Sequence, residues 1–224
     1  MKYYSIAIDG PAASGKSTAG KGVSKKLGFV YIDTGSMYRC FTLHMMNLGY
    51  DCTSSTLADT ALKSFKMDLK ENEQVFLDGV NVSSRIRELD VSKNVSEACK
   101  HKSVREALVK LQQDISKTNN VVMDGRDIST VVLPNADLKI FQIATVQARA
   151  KRRYDEMIEK GIDVKYEDIV KDIERRDYID STRENSPLTQ AKDAIVLDTS
   201  NLTIEEEIDE IISLFYKKVG KING

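Results

Sequence analysis

Nine residues near the start of the chain, Gly10, Pro11, Ala12, Ala13, Ser14, Gly15, Lys16, Ser17 and Thr18, carry the residue types that hold phosphate. Gly10 and Gly15 let the backbone curl until successive N–H groups point at one anion. Lys16 can reach the β- and γ-phosphates of a nucleotide, and the Ser17 hydroxyl can ligate Mg²⁺. The spacing Gly-x-x-x-x-Gly-Lys-Ser is that of a P-loop. Many unrelated activities use such a loop, so the reaction has to be read from other charges. A guanine-binding switch would carry an Asn-Lys-x-Asp string, and none occurs. A motor or transporter ATPase would need a longer chain. An enzyme that passes phosphoryl to a small acceptor must clamp two anionic molecules head to head. That demands arginines, whose planar forks match phosphate oxygens.

The arginines fall at the ends of apolar runs. "DTGSMYR" places Thr34 as a candidate helix N-cap and Arg39 about a turn later. "DGRD" places Arg126 and Asp127 directly after an apolar strand, with Asp124 ending that strand as a candidate Mg²⁺ ligand, directly or through water. In open α/β sheets ligands gather at the carboxyl ends of strands, so these residues are expected in the crevice of the phosphate loop. Arg149, Arg152 and Arg153 are spaced i, i+3, i+4 and share a helix face. With Arg176 and Arg183 they suit a lid that brings positive charge to a transferring phosphoryl group, and five arginines facing one site should repel each other until anions arrive. The two histidines, His44 and His101, sit at no metal-ligand spacing and read as packing residues. Met45 and Met46 read as core filler. The run Glu205–Glu207 reads as a solvated helix start favoured by the helix dipole.

The elements that must position these groups follow from the pattern. "YYSIAI", "FVYID", "VVMDG", "LKIFQIA" and "AIVLDTS" are five short apolar runs, as expected of strands covered on both faces. Helical stretches separate them. The last, from about Thr203 to Val219, aligns Ile204, Ile208, Ile211, Phe215 and Val219 on one stripe, with the acidic run on the other side. This alternation predicts a P-loop α/β fold, a five-stranded parallel sheet with helices on both faces. Two regions interrupt it. Residues 51–93 contain a polar-tipped hairpin, "KENEQ", and a further short strand, an antiparallel insertion. Residues 146–188 are arginine-rich and read as two helices joined near Gly161, then a polar stretch. The chain is therefore divided into a core of 1–50, 94–145 and 189–224, an inserted subdomain and a lid.

At 224 residues the chain suits one domain with an insertion. A net charge of −1 gives no electrostatic case for nucleic acid or an anionic membrane as partner. Three scattered cysteines read as reduced thiols, no leader and no spanning segment is evident, and a cytoplasmic monomer is expected.

In the order of its motifs the chain resembles bacterial cytidylate kinases over nearly its whole length. "IDGPAASGKST" resembles that family's P-loop, and "YIDTGSMYR" its "DSGxxYR" segment. "VREAL" with an upstream serine, "VVMDGRDISTVVLPNADLKIF", "RAKRR", "RRDYIDSTRENSPL" and "DAIVLDTS" also have counterparts, and the long insertion is similar. Adenylate kinases share the P-loop but not this set. The resemblance implies transfer of the γ-phosphoryl group of ATP, with Mg²⁺, to CMP or dCMP. It implies that Thr34, Arg39 and Arg126 hold the acceptor phosphate with Tyr38 nearby. Ser96, Arg105 and Asp127 would read the cytosine, Arg176 and Asp180 would reach the sugar, and Arg183 the acceptor nucleotide. Lys16, Arg126, Arg149 and Arg153 would supply catalytic charge, and Arg149, Arg152 and Arg153 would belong to the lid. Two positions depart from the family: Thr34 stands where serine is common, keeping the hydroxyl, and Ser17 where some members have glycine. Another small P-loop kinase, or a nucleotide-binding regulator without turnover, are the alternatives that an assay with different acceptors separates.

Overall fold

A computed structural model describes residues 2–70 and 74–220. Five strands form one parallel sheet in the order β2-β6-β1-β7-β8: β1 (Ser5–Asp9), β2 (Val30–Asp33), β6 (Val121–Gly125), β7 (Leu138–Ile143) and β8 (Ile195–Asp198). The order is set at the centre. Ser5 to Asp9 run beside Val121 to Gly125, while Ile6 to Asp9 run on the other side beside Leu138 to Phe141. Both faces of β1 are dry: Ile6 and Ile8 face one way, Ala7 the other, and all three are fully buried. That explains the continuous apolar run. β8, at the edge, is only half-buried.

The described residues divide into two compact units, those within 2–31 and 118–220, and those within 32–117. In the first unit α1 (Lys16–Leu27) and α8 (Ile204–Val219) cover one sheet face. Ala19 and Val23 of α1 and Ile208, Ile211 and Phe215 of α8 pack with Ile6, Ile8, Val122, Leu138, Ile140 and Leu197. α6 (Val146–Glu159) and α7 (Tyr166–Thr182) pair around Ala150, Met157, Ile169 and Ile173. Gly161, in left-handed backbone, turns the chain between them as expected.

The second unit is larger than the segment 51–93 because its core draws on flanking helices. Cys40 and Leu43 of α2 (Thr34–Asn47) and Val91 of α4 (Leu89–Ala98) pack with Val75, Leu77, Val82 and Ile86. The antiparallel sheet β3-β4-β5 is present: β3 (Met67–Lys70), β4 (Gln74–Leu77) and β5 (Val80–Asn81). The tip Glu71–Glu73 of the expected hairpin lies outside the described residues, but Lys70 pairs with Gln74 across it. β4 and β5 are joined by Asp78-Gly79, both at positive φ, the turn that matches strand twist. Helix α3 (Ser55–Leu62), capped by the Ser54 hydroxyl, was not anticipated within this segment. The fifth helix, α5 (Lys102–Ser116), completes the unit. His44 is buried against Ala61 and Ser64, and His101 bonds the Cys52 carbonyl, both packing roles. Cys40, Cys52 and Cys99 are buried thiols in no disulfide, and all three belong to this unit.

Candidate active site

In the first unit β1 delivers the chain into the glycine loop and α1 leads it away. A side chain at Gly10 would collide with the Gln142 carbonyl oxygen, 2.2 Å from its Cβ position, so the loop enters the sheet edge only with glycine. Ala13 has φ 57° and Gly15 φ 99°. A left-handed alanine is a strained backbone, here spent on curling the loop. Three donors from distant parts of the chain fix that curl. The Ser14 carbonyl accepts from the Gln142 amide of β7, from Arg152 Nη1 of α6 at 3.0 Å and from the Thr199 hydroxyl at 3.2 Å. Arg149 Nη1 donates to the Ala12 carbonyl at 2.9 Å.

Lys16 opens α1, and its ammonium donates to the Pro11 carbonyl at 2.7 Å and to the Ser14 hydroxyl at 3.2 Å. Burial, with Arg126 nearby, lowers its pKa to about 7 although Asp124, Asp9 and Asp180 pull the other way. A buried cation held on one loop carbonyl and one hydroxyl is one that anionic phosphates would stabilise in their place. The Ser17 hydroxyl donates to Asp124 Oδ2 at 3.0 Å, and the Tyr31 hydroxyl to Asp124 Oδ1 at 2.6 Å. The two residues expected to hold Mg²⁺ therefore meet. Among the described residues no group of three or more acidic, histidine or cysteine side chains gathers as a metal cage. One hydroxyl and one carboxylate instead make the sparse hard-oxygen set that suits Mg²⁺, which keeps its waters and takes phosphate oxygens.

Beside β1, β6 ends at Gly125, opposite Asp9. Arg126 and Asp127 follow, as the sequence pattern requires, at the same edge of the sheet as the loop. Arg126 donates to Asp180 Oδ2 at 2.7 Å, and Arg183 Nη1 lies 3.5 Å from Asp180 Oδ1. Burial would raise the Asp180 carboxyl, but Arg126, Arg183 and Arg176 together hold it below the usual range. Arg126, Arg176, Asp180 and Arg183 are thus one charge network, and Asp127 is buried next to it in sequence.

The arginines do not repel one another as expected. Asp180 and Asp177 neutralise them: Asp177 takes Arg149 in a two-pronged bridge, with Nη2 2.6 Å and Nη1 3.1 Å from its oxygens. Arg153 pairs with Glu156. Arg152, assigned to the lid face, is anchored on the loop and on the Thr199 carbonyl. Asp177 and Thr199 lie inside strings quoted above, but neither type nor spacing gave them a role, because their partners are far along the chain. Asp9 was missed likewise. Its buried carboxylate accepts from the N–H groups of Ile128 and Ser129, each at 2.7 Å, tying β1 to the wide turn Ile128–Val132 after Asp127. Burial raises its pKa despite these bonds.

Helix α8 corrects a further expectation. Glu205 and Glu206 are solvated, and Glu206 closes a capping box with Thr203. Glu207 is buried at 3 % exposure, while Ile204, expected on the stripe, is 56 % exposed. The spacing i, i+4 from Glu207 to Ile211 places this carboxyl on the core face. Burial pushes it up to about 7, against Arg152, Lys16 and the Gln142 amide.

In the second unit the α2 N-cap is Asp33, not Thr34. Its carboxylate accepts from the Ser36 N–H at 2.9 Å and from the Ser36 hydroxyl, and Thr34 is the first helical residue, buried. A carboxylate there also meets the helix dipole. Arg39 Nη2 bonds Asp33 at 2.9 Å, and Arg87 Nη2 lies 3.4 Å from the same oxygen. Burial opposes ionisation of Asp33, but these arginines and Ser36 keep its pKa low. The Arg105 guanidinium lies over the Tyr38 ring, 5.3 Å from its centroid, and donates to the Cys99 carbonyl. Ser96 on α4 is buried.

The comparisons with known proteins identify the family. The family model described as Cytidylate kinase matches residues 6–217. The chain is 48 % identical over 220 residues to the cytidylate kinase of Bacillus subtilis (strain 168), covering 97 % of this chain and 98 % of that one. It is 49 % identical over 221 residues to the cytidylate kinase of Enterococcus faecalis (strain ATCC 700802 / V583), covering 97 % and 98 %. Among solved structures, an uncharacterized protein from Eubacterium ventriosum ATCC 27560 shares the fold with a TM-score of 0.55 at 12 % identity, covering 96 % of this chain and 99 % of that one. No helix among the described residues is long and apolar enough to cross a membrane. The chain belongs to the cytidylate kinase family.

Proposed function

We infer that the chain transfers the γ-phosphoryl group of ATP to CMP or dCMP, giving ADP and CDP or dCDP. The observation that carries the chemistry is the pair of cations, Lys16 and Arg126, after adjacent parallel strands, each resting on groups a phosphate could displace. Gly10 to Thr18 take the triphosphate: loop N–H groups and the α1 N-terminus face its oxygens. Ser17 and Asp124 would hold Mg²⁺, which shields the charge on the β- and γ-phosphates. An oxygen of the acceptor phosphate attacks the γ-phosphorus, and the bond to the ADP oxygen breaks. The acceptor oxygen is already ionised, so no strong general base is needed. Lys16, Arg126, Arg149 and Arg153 are assigned to the charge on the moving phosphoryl group, and rate comes from alignment and electrostatics.

Thr34, Tyr38, Arg39, Ser96, Arg105, Arg126, Asp127, Arg176, Asp180 and Arg183 are assigned to the acceptor nucleotide. Asp33 and Asp180 then act as stand-ins for phosphate, keeping Arg39 and Arg126 aimed until the acceptor comes. Segments 51–93 and 146–188 are assigned to acceptor binding and closure. A cytoplasmic monomer fits the near-neutral charge and the absence of disulfides among the described residues. The test is ADP release with ATP and each nucleoside monophosphate in turn. Turnover with CMP and dCMP is expected; turnover with AMP alone, or with none, would overturn the assignment.

A further inference from the structure

Beneath the phosphate loop lies a carboxyl group that the reaction as described does not use. The Cβ direction of Gly15 points at three side-chain ends: Gln142 Nε2 at 3.3 Å, Arg152 Nη1 at 3.5 Å and Glu207 Oε2 at 3.5 Å. Gln142 and Arg152 each donate to the Ser14 carbonyl, so they are committed to the shape of the loop. Glu207 Oε1 has no hydrogen-bond partner in the structure. A half-satisfied buried carboxyl carries a cost that a merely structural position would avoid with an apolar residue. Its place, against the first turn of α1 and the loop that faces phosphate, puts a titratable negative charge behind an anion site.

We propose that Glu207 is a positioning residue that tunes the affinity of the phosphate loop for nucleotide through its own protonation. The charged groups that face it are Lys16 from α1 and Arg152 from α6, and β7 presents the neutral Gln142 amide. Ionised, Glu207 holds Arg152 down on the loop and opposes the negative triphosphate. Protonated, it releases both effects. Burial sets its change of charge near neutral pH, so bound phosphate favours the protonated form and the loop binds nucleotide more weakly as pH rises. Charges several ångströms apart at an effective dielectric of about 20 make this worth roughly tenfold in affinity.

The proposal rests on reading Gly10–Thr18 as the donor-phosphate site, and binding of ATP with excess Mg²⁺ to the unmodified enzyme at pH 6 tests that reading alone. The experiment measures the same affinity, without acceptor, at pH 6 and pH 8.5 for the wild type and Glu207→Gln. The two should bind ATP alike at pH 6, and Glu207→Gln should bind roughly tenfold tighter at pH 8.5. A purely structural role would shift both pH values equally, and that result overturns the proposal. Should Glu207→Gln not fold, carboxyl-carbon NMR of the isotope-labelled wild type decides. A Glu207 midpoint near neutrality that rises on adding ATP supports the proposal; an ordinary carboxylate midpoint, or one that ATP leaves in place, refutes it.

Discussion

Replacing Lys16 by alanine should leave a folded enzyme that barely turns over. The ammonium is buried but bonds only the loop, at Pro11 and Ser14, so the apolar core under the sheet does not depend on it. Loss of a charged contact that strengthens in the transition state should lower kcat by roughly a thousandfold or more. Near-normal turnover of a mutant that melts like the wild type would refute the P-loop assignment. Asp127 carries a second expectation. Cytosine offers an N4 amine that a carboxylate can accept from, whereas uracil offers an acceptor at that place. A site that leaves a buried polar group unpaired rejects the wrong base strongly. CMP should therefore be preferred over UMP in kcat/KM, and Asp127→Asn should shrink the ratio, since an amide also donates. A ratio unmoved by the substitution would remove Asp127 from base reading.

The α1–α8 contact sets a stability that nucleotide chemistry does not explain. A Cβ at Gly22 would stand 2.1 Å from Ile208 Cδ1 and 2.7 Å from Cγ1. Alanine is worth up to about 1 kcal/mol over glycine in a helix, but overpacking a core costs ~1–3 kcal/mol. Gly22→Ala should destabilise by about 1–2 kcal/mol in urea unfolding. Adding Ile208→Val, which removes the offending methyl, should give less than the sum of the single effects. Additive losses would mean the helices do not meet there. Strands and the glycine loop were legible because each depends on a short local string: "VVMDG" is β6 residue for residue. Arg126 and Asp127 were legible for the same reason, as residues following a strand. What escaped depends on rotation or on partners far along the chain. Glu207 differs from its solvated neighbours only by one position around α8. Arg152 could be seen as lying on a helix face but not as reaching the Ser14 carbonyl 138 residues away. Asp33 took the cap because a carboxylate can serve Ser36 and Arg39 at once, which a threonine hydroxyl cannot.

For the molecule as a whole, the distribution of its thiols has a practical consequence. Cys40, Cys52 and Cys99 are buried thiols in no disulfide, confined to residues 32–117, while the unit with the glycine loop contains none. Burial also pushes the Cys40 thiol up to about 12, so little reactive thiolate forms there while the fold is closed. A chromogenic disulfide reagent mixed with the native enzyme should then react far more slowly than with the denatured chain. Its rate becomes a clock for how often one part of the molecule breathes, with no engineered label. Cys99, at 8 % exposure, should be modified first and Cys40, fully covered, last. Immediate reaction of all three on mixing would show that this part of the chain lacks the packed interior described for it. The enzyme thus carries its own stopwatch on one unit, and the unit with the glycine loop, which has no cysteine, stays untouched by the reagent.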